Sequence, residues 1–250
     1  MKVRVRFGAV LVGVLVAAFP SLRADAGSAA TPQEFKVRIE NVSRDDTLKP
    51  SNGAKAPAAV APGVWAVHRT TDLLFTPGQP DRGKGLEALA EDGNPGGLTE
   101  SLKHDAAVVS SGVYNVPVGT SGPSPIGPGG VYEFLVTGQP GMRLSFAMMF
   151  GQSNDLFYAP GAEGIALFDE SGKANTGDIT PRITLWDGGT EVNEEPGVGP
   201  NQAPRQSAPN TGPRENGAVR PIAEVRDGFT YPAVSEVLRV TIVPVQRIAR

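Results

Sequence analysis

The strictest alternation along the chain is Phe35-Lys36-Val37-Arg38-Ile39-Glu40-Asn41-Val42. A period of two marks a half-buried strand, with Phe35, Val37, Ile39 and Val42 turned toward a core. Val64 to His68 reads as a second short strand. At Leu86, Leu89 and Ala90 the spacing becomes helical and Gly93 supplies a stop, so a short helix is expected; Leu98 to Lys103 reads as one or two more turns. Residues 117–130, mostly Pro, Gly, Ser and Thr, read as a loop. Val131 to Thr137 and Arg143 to Phe150 read as strands, and Gln139-Pro140-Gly141 between them predicts a hairpin. Further strands are expected at Ile165 to Phe168, Ile179 to Trp186 and Glu236 to Val243. Residues 192–217 hold almost no apolar side chains and predict a long surface segment, ordered only if something pins it. Seven or eight short strands with little helix predict an all-β fold: one antiparallel β-sandwich with one or two short helices and long loops.

Composition narrows the class. The chain has 250 residues, with 31 Gly and 23 Pro, which argues against a helix bundle. The absence of cysteine excludes disulfides, thiolate zinc sites, iron–sulfur ligation, a cysteine nucleophile and a lipoprotein anchor. The N-terminus reads as an export signal: Lys2, Arg4 and Arg6, then an uncharged apolar run from Phe7 to Phe19, then Ala24-Asp25-Ala26 as a small-x-small cleavage site. Cleavage after Ala26 leaves Gly27 to Arg250 as a single domain. Of 23 basic and 26 acidic residues, four and one respectively fall in the signal, so 19 face 25 in the remainder, a balance of −6. That charge disfavours nucleic acid and anionic lipid as partners. No second apolar run is long enough to span a bilayer, so no integral membrane segment is expected after cleavage. An exported chain without cysteine suits a bacterial periplasmic or secreted protein.

The chemistry concentrates in two stretches. Phe146-Ala147-Met148-Met149-Phe150-Gly151-Gln152-Ser153-Asn154-Asp155 carries a strand into a Ser-Asn-Asp turn. Ile183-Thr184-Leu185-Trp186-Asp187-Gly188-Gly189-Thr190-Glu191 ends another strand at Asp187, where two glycines let the chain fold back. If the strand ends are neighbours, Asp155, Asp187 and Glu191 converge at one rim. Converging carboxylates repel unless a cation or protons intervene. With oxygen ligands only, a hard ion is expected, and an irregular loop suits Ca2+ better than octahedral magnesium. The bland reading is that these acids only cap their turns. Glu194 and Glu195 read as solvated loop charges, Trp65 and Trp186 as packing residues rather than sugar platforms, and Met148-Met149 as strand filler.

The Phe/Met-rich strand into Ser-x-Asp, followed by Trp-Asp-x-Gly-Thr-Glu at 186–191, resembles the spondin N-terminal domain family, the F-spondin/mindin-like module. Glu195-Pro196-Gly197 and Asn201-Gln202-Ala203-Pro204 resemble bacterial spondin-domain proteins in particular. The resemblance covers roughly residues 33–245 and is strongest over 144–206. It implies a calcium-binding antiparallel sandwich whose three acidic ligands match Asp155, Asp187 and Glu191. The third ligand is commonly Asp in animal members, so Glu191 is one methylene longer. Animal members also carry disulfides and adjoin thrombospondin repeats, and this chain has neither. The expectation is an exported, non-catalytic binding or adhesion module of the bacterial envelope or exterior, its partner an extracellular protein or glycan. Two alternatives stand beside it: a carbohydrate-active or calcium-assisted hydrolase, and a purely structural periplasmic protein. His68 and His104 make a Ser-His-Asp triad formally possible, but no Gly-x-Ser-x-Gly elbow accompanies them.

Overall fold

A computed structural model describes residues 1–2 and 31–246. The expected export signal, beyond its first two residues, and its expected cleavage point fall outside the described residues. In chain order the elements are β1 (Gln33–Asn41), β2 (Val60–His68), α1 (Leu86–Asp92), α2 (Gly96–Lys103), β3 (Val108–Tyr114), β4 (Val131–Gly138) and β5 (Arg143–Phe150). There follow β6 (Leu156–Pro160), β7 (Ile165–Ala166), β8 (Gly177–Asp178), β9 (Ile183–Asp187), β10 (Arg220–Pro221), α3 (Val234–Val237) and β11 (Leu238–Pro244). They form an antiparallel β-sandwich. One sheet has the order β4-β1-β11-β8; the other runs β10-β9-β6-β5-β2-β3, with β7 also paired to β5. No helix among the described residues is long and apolar enough to cross a membrane.

Alternation explains the first sheet. Phe35, Val37 and Ile39 of β1 are fully buried between the sheets. On the outer face Arg38 lies opposite Glu133 in register and pairs with it at 3.1 Å, an exposed contact worth about 0–1 kcal/mol. Val42, expected in the core, is only half-buried, because the strand ends at Asn41. The fully buried Asn41 side chain instead bonds the carbonyls of Ala58 and Ile126 at 2.7 and 2.9 Å.

The second sheet is covered on both faces. Phe146, Met148 and Tyr158 meet the first sheet, whereas Ala147, Phe157 and Trp186 pack outward under Leu86, Leu89 and Phe75. Gly93 closes α1 in the left-handed conformation (φ 64°), as the stop signal required. Trp65 stacks on Phe134 at 5.9 Å and Trp186 contacts Phe75 at 4.7 Å, so both tryptophans are packing residues.

The expected hairpin is not formed. The turn at 139–141 carries the chain across the sandwich: β4 pairs with β1, and β5 lies between β2 and β6 in the other sheet. Burial gives the reason. β4 alternates buried and exposed, whereas β5 is buried at seven consecutive positions, Leu144 to Phe150, and needs cover on both faces. Three strand limits also differ. Thr180–Arg182 is a 3-10 turn holding Pro181, and β9 begins at Ile183; residues 234–237 are helical before β11; and β7 spans only Ile165–Ala166.

Candidate metal centre

Strand pairing builds the site. Asp155 immediately precedes β6 and Asp187 ends β9; the two strands are neighbours, with Leu156 opposite Asp187. Both aspartates are fully buried. Past Asp187 the chain doubles back across them. Gly188 N donates to the Asp155 carbonyl at 3.1 Å, and a Cβ on Gly188 would sit 2.9 Å from that oxygen. Gly189 holds φ 67° with the 217–218 backbone against it. Gly217 N donates to the Gly189 carbonyl at 2.7 Å and Glu215 N to the Thr190 carbonyl at 3.0 Å. This pairing delivers Glu215 to the two aspartates.

One carboxylate oxygen each from Asp155, Asp187 and Glu215 lies within 4.8 Å of the others. Asp155 Oδ2 accepts from the backbone N–H groups of Thr190 (3.1 Å) and Glu191 (3.2 Å). Asp155 Oδ1 is buried with no hydrogen-bond partner, which costs about 1–3 kcal/mol where nothing else satisfies it. Burial, and then the charge of Asp187, push the Asp155 carboxyl well above its ordinary range. Asp187 Oδ1 accepts from Gly189 N at 2.8 Å. Arg220, opposite Asp187 in the β9–β10 register, reaches Asp187 Oδ2 at 3.0 Å and Glu215 Oε1 at 2.5 Å.

The structure therefore brings Asp155 and Asp187 together and adds Glu215. Glu191 adjoins them through its backbone, while its buried carboxylate turns to Gly212 N (2.7 Å) and Asn154 Nδ2 (3.3 Å). Glu215 and Arg220 carried no sequence signal, since they lie in or beside a segment that reads as polar loop. That segment is firmly pinned. Asn154 holds the Val192 carbonyl at 2.7 Å and the fully buried Gln202 holds the Glu195 carbonyl at 2.7 Å. Glu194 and Glu195 are not free solvated charges: Glu194 binds Asn201 and Glu195 binds Ser51 N and Oγ at 2.7 and 2.6 Å.

The donor set fits a hard cation: oxygen atoms only, one of them buried and unpartnered. A Ser-His pair does exist elsewhere. His68 Nε2 meets Ser145 Oγ at 2.8 Å, and its Nδ1 meets the Thr70 carbonyl at 2.9 Å. Both side chains are buried, and a Cβ on Gly164 would come within 2.7 Å of Ser145 Oγ. No protein-family model and no curated protein matches the chain.

Proposed function

We propose that this chain is an exported, calcium-binding β-sandwich acting as a non-catalytic binding or adhesion module at the cell envelope or outside the cell, with an extracellular protein or glycan as partner. The observation that carries the metal is the convergence of Asp155, Asp187 and Glu215, one carboxylate oxygen of each within 4.8 Å of the others, together with the unpartnered Asp155 Oδ1. Charge points the same way. Three carboxylates and the Arg220 guanidinium leave a formal −2 when all are ionised, which one divalent ion cancels. Irregular backbone around the acids suits the variable coordination of calcium. The resemblance to bacterial spondin-domain proteins and the export signal supply the location and the class of role.

Burial favours a held ion over turnover. Asp155 and Asp187 are sealed under the 187–191 turn, and a substrate reaching them would have to displace it. Cavities of about 420 and 470 Å3 open beside Arg239 and Phe229, and neither is lined by an acid of the cluster. The ion would tie β6, β9 and the 192–217 segment together, so calcium should stabilise the folded chain. At a hundredfold excess over its Kd, a ligand specific to the native state adds about 2.7 kcal/mol, a rise of roughly 5–10 °C in Tm for a domain of this size. Thermal melts in calcium and in EDTA test this, with Asp187→Ala as the control that loses the rise. Equal midpoints in the two buffers, for wild type and variant alike, refute the reading.

A further inference from the structure

Four strands end the two sheets: β4 and β8 in one, β3 and β10 in the other. An edge strand carries backbone N–H and C=O groups with no partner on its outer side. Natural sheets blunt such edges by keeping them short, by bulges, or with Pro and Lys. β8 and β10 are two residues long. β3 is bulged: Ser110 and Val108 face Val67 and His68, which leaves Val109 without an opposite residue. β4 has none of these devices. Its eight residues, Val131 to Gly138, hold neither Pro nor Lys and pair with β1 in unbroken register.

The pairing pattern fixes which groups are open. In an antiparallel ladder, facing residues that exchange hydrogen bonds alternate with facing residues that do not. Asn41 N donates to the Gly130 carbonyl at 2.9 Å, so the bonds between β1 and β4 fall on the even-numbered residues of β4. Val245 N on the Glu34 carbonyl agrees, since it turns the even-numbered residues of β1 toward β11 and the odd ones toward β4. The backbone of Val131, Glu133, Leu135 and Thr137 therefore points outward. The Val131 carbonyl is taken by Val118 N at 2.8 Å. The outer backbone of the other three bonds no segment of the described chain. Leu135 is at their centre. All three side chains lie on the solvent face, and Leu135 is 49% exposed there. Glu133, the one charge on the strand, is held by Lys36 and Arg38 of β1 at 3.5 and 3.1 Å.

We propose that β4 is a docking edge for a second copy of this chain: two copies join antiparallel about a two-fold axis at Leu135, and their four-stranded sheets become one continuous sheet. A second copy is the partner because the open edge is its own complement. The axis sets Leu135 against its own copy and Glu133 against the Thr137 of the other copy. These are the outward-facing positions, so each facing pair exchanges two backbone hydrogen bonds. No like charges are opposed, and the exposed leucines cover each other. Neighbouring axes fail. At Glu133 two carboxylates would meet and the Val118–Val131 bond would have to open. At Thr137 half of the contacts would fall on the turn at 139–141, where the chain leaves the sheet. Trp65 and Tyr114 of the other sheet stack on Phe134 at 5.9 and 4.9 Å, so β4 lies over β2 and β3. The acid centre belongs to β6, β9 and β10, at the opposite end of that sheet's strand order. The interface and the metal are separate, and neither needs the other.

Sedimentation equilibrium of the full chain over a range of concentrations tests it, with circular dichroism to verify folding. Wild type is expected to show a monomer–dimer equilibrium. Thr137 is exposed, so substitution there spares the core. Thr137→Lys sets a cation against each Glu133 and should tighten the dimer about fivefold; Thr137→Glu sets a carboxylate there and should loosen it by a similar factor. Leu135→Pro removes an N–H that the folded chain does not use and should leave only monomer. Monomer alone in wild type and in Thr137→Lys, at every concentration, overturns the proposal. So does a dimer that Leu135→Pro leaves intact, because another surface then forms it. A dimer that Thr137→Lys weakens overturns it as well, because the axis is then at residue 137 with the two lysines face to face. Should Leu135→Pro fail to fold, the Thr137 variants decide: opposite shifts support the interface and equal ones overturn it.

Discussion

Two buried polar clusters lie in the same sheet and are finished differently. At the β2–β5 pair, His68 and Ser145 satisfy each other and the Thr70 carbonyl, and backbone closes over them. At the ends of β6 and β9, Asp155 keeps an open oxygen, and Glu91 of α1 keeps two. Both clusters bear the cost of removing polar groups from water. The first recovers it within the protein; the second does so only in part. A completed pair pins strands together; an incomplete one is a place for something the chain does not encode.

The contrast breaks most readily at His68. His68→Ala removes a fully buried ring and orphans Ser145, and should cost about 3 kcal/mol in urea unfolding, equally in calcium and in EDTA. A loss that differs between the two buffers would show the pair to be coupled to the ion. Arg220→Ala should behave the other way. It leaves Asp187 buried without its cation, costing about 2 kcal/mol in EDTA, less than a wholly buried pair because the arginine is 35% exposed. In saturating calcium the loss should fall to less than half. An undiminished loss would refute the idea that ion and guanidinium share one charge cluster.

The smallest effect is in pH, where the clusters have opposite signs. Burial lowers the His68 pKa below its ordinary 6.5. The unfolded chain therefore takes the proton first; the stability is whole above pH 6.5 and is lost as pH falls through that value, at up to about 1.4 kcal/mol per unit. The Glu91 carboxyl is raised from 4.5 to about 7, so its contribution is whole below pH 4.5 and lost as pH rises through 7. Subtracting the His68→Gln stability profile from wild type in EDTA should isolate the first slope between pH 6.5 and 5. A flat difference would mean that the fold leaves the His68 pKa where the unfolded chain has it and would overturn the burial argument.

Legibility followed how local each signal was. β1 was plain because its alternation is complete within eight residues. The destination of β5 was not, because the Pro-Gly turn before it suits a hairpin and a crossing equally well. β3 shows no readable period because Ser110-Ser111-Gly112 interrupts its apolar pattern; Gly112 is there because Trp65 lies over it, 2.9 Å from where a Cβ would be. β6 is continuously apolar, Leu156 to Ala159, and shows no period. Asp155 and Asp187 were legible as acids at turns that follow strands. Glu215 was hidden because it is placed by backbone pairing with Thr190, far back in the chain, and Glu91 because its polar neighbours in α1 look the same in sequence.

The first and last long strands are hydrogen-bonded neighbours, with Phe35 opposite Pro244, and Val245 N reaches the Glu34 carbonyl at 2.8 Å. Both exits from the sandwich are thus at one corner. Tension applied through the two ends would load the β1–β11 ladder as a zipper is loaded, one rung after another, rather than shearing all its rungs at once. A domain tethered at both ends would yield at low force there, while the acid-rich end beyond β6 and β9 lies outside the line of pull.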